Sequence, residues 1–351
     1  MKVLHIITSL GSGGTEGMLY RLIQESSDTV EHSILCIKKG GKYESFFNEA
    51  GIDVLVLNLG FPSFFKAIIN LFKFSLKKKK QGYQIITSWL YHADFMAWFI
   101  KLFFGFRGLA WNIRSSHLQR QKISINNIFY LKFLSVLSNI IVNKIISCSR
   151  SAIEIHKKIG YRDIFTYIPN GYFIDKNKKF IKDYKNYEGI FRICMIARWH
   201  PQKDFETIFQ ALDLFKIYNI PFHFTIAGNN TDSKNLELFA LLKKYSLENF
   251  CSMLGEVDDV DTIYKKSHVN VLSSSFGETF PNVLSESMLN FTPCISTNVG
   301  DSQEILSKVG FIVPIGDFRA ISDALKEVHD MLTQHNDIYL EYCLEGYNKV
   351  Y

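Results

Sequence analysis

A chain of 351 residues is longer than one ordinary domain and fits two of roughly 170 residues each. With 47% hydrophobic and 21% charged residues it can bury sizeable cores, which excludes a disordered chain. The net charge of +6 is unevenly spread: residues 1–175 hold 22 Lys and Arg against 11 Asp and Glu, and residues 176–351 hold 18 against 23. The first half is therefore expected to face an anionic surface.

The opening MKVLHIITSL has one lysine, then a short β-branched run, then glycines, and reads as a first strand rather than a signal peptide, so the chain is expected in the cytoplasm. Apolar runs of this kind recur. In chain order they are Val3–Thr8, Ser33–Ile37, Asp53–Leu57, Gln84–Ser88, Leu109–Ile113, Lys144–Ser147 and Ile164–Ile168. After a charged break over Asp175–Glu188 they resume as Arg192–Ala197, His223–Ala227, Cys251–Leu254, Val269–Leu272, Cys294–Thr297 and Phe311–Val313. Runs of four to seven apolar residues suit parallel strands covered on both faces, and helical patterns such as Phe205–Tyr218 and Leu236–Tyr245 lie between most of them. This is the βαβ signature written twice. It predicts an α/β fold of two Rossmann-like domains facing across a cleft, with boundaries at 1–175 and 176–351 and site residues just after strand ends. The six cysteines show no CxxC spacing, and Cys36, Cys194 and Cys294 sit inside strand runs, as reduced buried thiols do.

Three segments after strand runs carry chemistry. The first is Gly11-Ser12-Gly13-Gly14-Thr15-Glu16, where glycines let backbone approach a ligand closely. The second predicted strand ends Ile37-Lys38-Lys39, without the acid of a dinucleotide fingerprint, which argues against a nicotinamide dehydrogenase. The second segment is Ala197–Asp204, in which Arg198 and Lys203 flank a Pro-containing turn that would aim two cations at one diphosphate. The third is Ser273–Glu286, a loop bearing Glu278 that runs into a helix with Pro281 as its first residue and Glu286 further along. The start of such a helix offers unpaired N–H groups to a phosphate. Two unrelated surface cations and two solvated acids are the plainer readings of the last two segments.

Taken together, these segments resemble the retaining glycosyltransferase family 4 of the GT-B fold. The resemblance rests on a GG-x-E loop (Gly13, Gly14, Glu16), a PNG turn (Pro169, Asn170, Gly171), R-x4-K (Arg198, Lys203), and E-x7-E with an embedded FPN (Glu278, Phe280, Pro281, Asn282, Glu286). It implies a metal-independent, retaining hexosyltransferase without cofactor, taking a sugar from a nucleotide diphosphate to a glycan or polyprenyl-linked acceptor in cell-envelope polysaccharide synthesis. By the same resemblance Arg198 and Lys203 neutralise the diphosphate, helped by the amides of Asn282, Val283 and Leu284. Glu286 holds the ribose, and Glu278 holds hydroxyls of the transferred sugar. Gly13 and Gly14 let the N-terminal, acceptor-binding domain close onto the phosphates of a donor bound by the C-terminal domain, with base contacts near Gly228 and Gly255–Val257. The family's histidine near the donor sugar is displaced here: His117 fills the role from a shifted position or Arg114 replaces it, and His92 is a weaker candidate that equally suits a helix cap. Asp258-Asp259-Val260-Asp261 reads as a helix N-terminus. A GT-B sugar-nucleotide epimerase and a catalytically silent sugar-nucleotide-binding subunit remain as alternatives.

One further stretch stands out. Phe61–Lys80 contains six lysines, five phenylalanines and no acid. It is too charged to span a bilayer, and it suits an interfacial helix on an anionic membrane as well as a core-packed helix with a basic exterior. The expected partners are thus a nucleotide sugar, an acceptor and the inner face of the cytoplasmic membrane, but no nucleic acid.

Overall fold

The computed structural model describes residues 1–11, 13–38, 40–58, 64–115, 125–174, 187 and 189–350. The chain forms two compact units, Met1–Phe173 and Ile174–Tyr351. The charged break Asp175–Glu188 lies almost wholly outside the described residues, as do His117 and Phe61.

Unit 1 alternates β1 (Lys2–Ile7), α1 (Gly14–Ser26), β2 (Glu31–Cys36), α2 (Lys42–Glu49), β3 (Asp53–Val56), α3 (Phe64–Lys80) and β4 (Ile85–Trp89). It continues with α4 (Tyr91–Phe104), β5 (Gly108–Ile113), α5 (Ile125–Ser138), β6 (Lys144–Ser147), α6 (Arg150–Ile159) and β7 (Phe165–Tyr167). The seven strands pair in the order β3-β2-β1-β4-β5-β6-β7, each pair parallel. Burial on both faces explains the unbroken apolar runs: β1 keeps Val3, Leu4, Ile6 and Ile7 out of water together.

Unit 2 repeats the plan with β8 (Phe191–Ile196), α7 (Phe205–Phe215), β9 (Phe222–Ala227), α8 (Leu236–Lys244), β10 (Cys251–Met253), α9 (Val260–Lys266) and β11 (Val269–Leu272). Then come α10 (Asn282–Met288), β12 (Cys294–Thr297), α11 (Ser302–Leu306), β13 (Phe311–Val313), α12 (Phe318–Gln334) and α13 (Asn336–Val350). The sheet order is β10-β9-β8-β11-β12-β13, again parallel throughout. Its core is aromatic, with Phe191, Phe209, Phe215 and Phe224 almost fully buried, and truncating one of them to alanine costs about 3–5 kcal/mol. Helix α13 packs on α10, and its Tyr347 ring stacks at 4.4 Å on Phe291, which lies just beyond α10.

All thirteen expected strand runs are strands, displaced by a residue or two at some ends. Five of the six cysteines are buried. Asp259 caps α9 by accepting the Thr262 N–H at 3.1 Å, as its sequence position suggested. Two expectations fail. Pro281 is the cap of α10 and not its first helical residue, because its ψ of 100 is extended and the helix begins at Asn282. His92 does not cap α4, whose cap is Leu90 at φ +74 with no side-chain bond. The His92 ring instead lies 5.4 Å from that of Tyr130.

Among the described residues no helix is long and apolar enough to cross a membrane.

Candidate active site

In an open parallel sheet the ligand crevice lies beyond the carboxyl ends of the two strands where the strand order reverses direction. In unit 2 these strands are β8 and β11, which are neighbours although 72 residues separate Leu272 from His200 in the loop beyond β8. The loops that follow them are the ones that carry R-x4-K and E-x7-E.

After β8, Arg198 stands exposed, and the chain then winds into a short 3-10 turn, Pro201–Lys203. His200 starts the turn with its ring Nδ1 accepting the Gln202 N–H at 3.2 Å. Asp204 ends it in the left-handed region (φ +48) and caps α7 by accepting the Thr207 N–H at 3.3 Å, and it also accepts the Thr207 hydroxyl at 2.8 Å. This turn is laced to the loop after β11: Ser273 Oγ donates to the Lys203 carbonyl at 2.8 Å, and the Ser275 N–H donates to the Gln202 carbonyl at 2.9 Å. The lacing brings Lys203 Nζ to 2.6 Å from Glu278 Oε1. The same carboxylate oxygen accepts from Ser274 Oγ at 2.8 Å and from Gln202 Nε2 at 3.2 Å. Both charged side chains are largely withdrawn from water, at 14% and 11% exposure, so their attraction is weakly screened. Three donors on one oxygen fix the rotamer of Glu278 before any substrate arrives.

Two glycines let the loops pass this closely. Gly300, after β12, has φ +54, and a Cβ there would lie 2.7 Å from the Glu278 carbonyl and 2.6 Å from that of Thr279. Gly228, after β9, has φ +149, and a Cβ would lie 2.3 Å from the Ala197 carbonyl and 2.9 Å from Arg198 N. Both contacts are with backbone, which has nowhere to move.

The E-x7-E helix is arranged less openly than the sequence suggested. The Leu284 N–H already donates to the Pro281 carbonyl at 3.1 Å, and the Leu284 side chain is fully buried. The Val283 carbonyl accepts from Asn270 Nδ2 at 3.3 Å, which ties α10 to β11, while Phe280 and Val283 pack on the Leu284 and Met288 cluster. Asn282 and Glu286, four residues apart, share one partly exposed face of α10.

In unit 1 the order reverses between β1 and β4. Gly13 is the extended cap of α1 and Gly14 its first residue. The side chain of Glu16 folds back over Gly13, leaving 2.5 Å to an imagined Cβ, and accepts from Ser9 Oγ at 2.9 Å. Gly41, the cap of α2, comes close to this loop, and the sequence did not single it out: a Cβ there would lie 2.7 Å from the Leu10 carbonyl. Arg114 follows β5 with its guanidinium 4.9 Å from the Trp89 ring and its Nη1 donating to Asn170 of the PNG turn. Burial, with Arg21 nearby, holds its pKa below the usual arginine range. Asp94, in the first turn of α4, accepts from Ser88 Oγ at 2.5 Å and is otherwise enclosed, and burial pushes its pKa well above the ordinary carboxyl value.

The structure therefore joins Lys203 to Glu278, with Arg198 earlier in the same loop after β8. It also adds Gln202 and Ser274, two partners that sequence reasoning missed. Neither residue type is diagnostic alone; the only available signal was their placement beside motif residues.

Residues 176–338 match the family described as glycosyl transferases group 1. No curated protein sequence matches the chain. Among solved structures, Anabaena Alr3699/HepE in complex with UDP-glucose superposes with a TM-score of 0.83 at 16% identity, over 100% of this chain and 94% of that one. The sucrose-phosphate synthase of Thermosynechococcus elongatus gives 0.78 at 16%, over 100% and 94%. The lipopolysaccharide outer core galactosyltransferase WaaB, in its apo form, gives 0.72 at 16%, over 100% and 96%. At these identities the likeness is one of fold. Residues 176–338 thus resemble the glycosyl transferases group 1 family, and the two Rossmann-like units are those of the GT-B fold.

Proposed function

We propose that the protein is a retaining glycosyltransferase that takes a hexose from a nucleoside diphosphate to a glycan or lipid-linked acceptor of the cell envelope. The observation that carries this reading is the Lys203–Glu278 pair at the reversal point of the second sheet, with Gln202 and Ser274 holding the same carboxylate oxygen.

In this reading unit 2 binds the donor and unit 1 the acceptor. Arg198 and Lys203 bind the diphosphate, and its negative charge grows as the bond from anomeric carbon to phosphate oxygen breaks. Preorganised cations lower the barrier because they are in place before that charge develops. Glu278 accepts hydrogen bonds from hydroxyls of the transferred sugar, its orientation fixed by Ser274 and Gln202. Lys203 moves part of its hydrogen bonding from Glu278 to the phosphate when the donor enters. Glu286 accepts from the ribose hydroxyls on the face of α10 that it shares with Asn282. The acceptor hydroxyl attacks the same face of the sugar that the phosphate leaves, and a phosphate oxygen takes its proton, so configuration is retained.

The cations serve here in place of a metal ion. The test is transfer from UDP-glucose, chosen because the Anabaena relative holds it, followed with and without excess chelator. Transfer with retained anomeric configuration that persists in chelator is expected. Inverted product refutes the stereochemistry, and loss of transfer in chelator with rescue by Mg²⁺ or Mn²⁺ refutes the metal-independent route.

A further inference from the structure

The outer side of unit 1 is not built like the outside of a water-facing domain. Helix α5 buries Leu131, Leu134 and Leu137 toward the sheet, yet on its opposite side it exposes Phe129 (68%), Phe133 and Val136 (62%) at helical spacing. Helix α4 presents Phe95, Leu102 and Phe103 (60%) to solvent in the same way. Helix α3 buries Ala67, Leu71 and Phe74 and exposes Phe65 (75%), Ile69, Phe72 and Leu76. These stripes join into one surface. The Phe72 ring lies 5.2 Å from Phe104 and 6.4 Å from Phe99, linking α3 to α4, and Phe95 lies 5.9 Å from Phe133, linking α4 to α5. An apolar face spread over three neighbouring helices marks a binding surface rather than scattered exposure.

Charge identifies the occupant. Across α3, α4 and α5 the one acidic residue is Asp94, and it is fully buried. Exposed Lys66, Lys73, Lys77 and Lys80 recur along α3 beside its apolar stripe, and Lys132 stands between Phe129 and Phe133 on α5. A twofold dimer through this face would set each lysine rim against its own copy, because such an interface is self-complementary. An anionic bilayer instead neutralises the rim and takes up the rings.

We infer that the α3–α4–α5 face docks on an anionic lipid bilayer, with the aromatic rings of α4 and α5 entering the interface and the α3 lysines meeting the headgroups. This goes beyond the transfer reaction and does not depend on it. It also revises the tether expected of Phe61–Lys80 alone. Lys78 takes no part, because it is buried at 2% exposure against Asp53 at 2.6 Å, and Lys77 shares that carboxylate at 3.4 Å.

The test is flotation of the full chain with vesicles of phosphatidylcholine alone or mixed with phosphatidylglycerol, at low and high salt. Nucleotide affinity and sedimentation are measured on the same preparations. The wild type is expected to float with the mixed vesicles and to release as salt rises. Lys66→Gln with Lys73→Gln and Lys80→Gln should weaken partitioning about ten- to a hundredfold. Phe129→Ser with Phe133→Ser should weaken it about tenfold, leaving a salt-sensitive remainder. All these positions are exposed, so melting temperature and nucleotide affinity should hold. A wild type that fails to float at low salt, or floats equally without phosphatidylglycerol, overturns the inference. So does a Phe129/Phe133 variant that floats as the wild type does. Sedimentation as a dimer that the aromatic variant dissolves would assign the face to a second copy of the chain. Unmeasurable nucleotide binding alongside normal flotation would count against the transferase reading and leave the docking surface standing.

Discussion

Helices α5 and α12 each bury one apolar stripe within their own unit, and their outer sides could hardly differ more. Helix α12 buries Ile321, Leu325, Val328 and Leu332 and exposes Arg319, Asp323 and Glu327, with Asp317 capping its start through the Ala320 N–H at 2.9 Å. Helix α5 buries an equivalent leucine stripe and exposes phenylalanine and valine. The βαβ plan dictates only the inner face of a covering helix, so the outer face records what surrounds it. The contrast extends to the reversal points of the two sheets. Unit 2 places a paired cation and carboxylate there, whereas unit 1 gathers a buried aspartate and an arginine held by a turn. Under the proposed function and the inferred docking surface, charge that does chemistry sits in unit 2 and charge that meets a surface sits on unit 1.

The strongest test of this division is at the ion pair. Lys203→Ala or Arg198→Ala should lower single-turnover transfer by about 10²–10⁴-fold, as for other lost stabilisers of developing negative charge. Rates near wild type in both variants would break the assignment of the reaction to unit 2. Within the same site the two acids should separate. Glu278→Ala should chiefly lower the single-turnover rate, and Glu286→Ala should chiefly weaken binding of free nucleoside diphosphate, which calorimetric titration reads directly. Affinity lost in the first variant and kept in the second would reverse the two roles.

Two glycines sharpen the comparison through stability. Gly228→Ala combines φ +149 with a 2.3 Å clash on the Ala197 carbonyl, and should cost about 2–4 kcal/mol together with nucleotide affinity. Gly82→Ala in unit 1 has φ +89 and nothing within 4 Å, so only backbone strain of about 1 kcal/mol is expected, with nucleotide affinity unchanged. Equal melting shifts in the two variants would show that the loop beyond β9 is not tightly held.

The smallest effect concerns pH. Trp89 Nε1 can only donate, and it donates to His5 Nδ1 at 3.3 Å, so His5 Nε2 carries the proton and donates to His32 Nδ1 at 2.9 Å. Burial, with the charge of His32 second, lowers the His5 pKa from 6.5 to about 3. Burial likewise lowers that of His156 to about 4. A histidine kept neutral in the fold stabilises fully above its unfolded pKa, and that stability is lost as pH falls below 6.5 toward the folded value. For His5 the loss between pH 6.5 and 5 is about 2 kcal/mol. Asp94 acts with the opposite sign, since a raised carboxyl pKa favours the fold as pH falls. The measurement is therefore a difference: a His5→Gln variant should be less stable at pH 7, yet show a shallower decline of melting temperature with acid than the wild type. Parallel declines would remove the histidine pair as the acid-sensitive element of unit 1.

The sequence by itself determined the two parallel sheets, because strands buried on both faces must be apolar throughout and each such run announces itself locally. It also placed the candidate site loops after the runs ending at Ala197 and Leu272, since strand ends are local features too. Only the tertiary structure decided which residues meet there. Lys203 and Glu278 lie 75 residues apart and become partners because β8 and β11 are adjacent, a fact of strand order that no local pattern encodes. The same holds for Gly41 against Leu10 and for Arg114 against Asn170. Over Phe61–Lys80 the sequence showed phenylalanines and lysines without an acid, suited equally to an interface and to a core. Packing against β3 then chose which stripe is buried, and drew Lys78 in with it through Asp53.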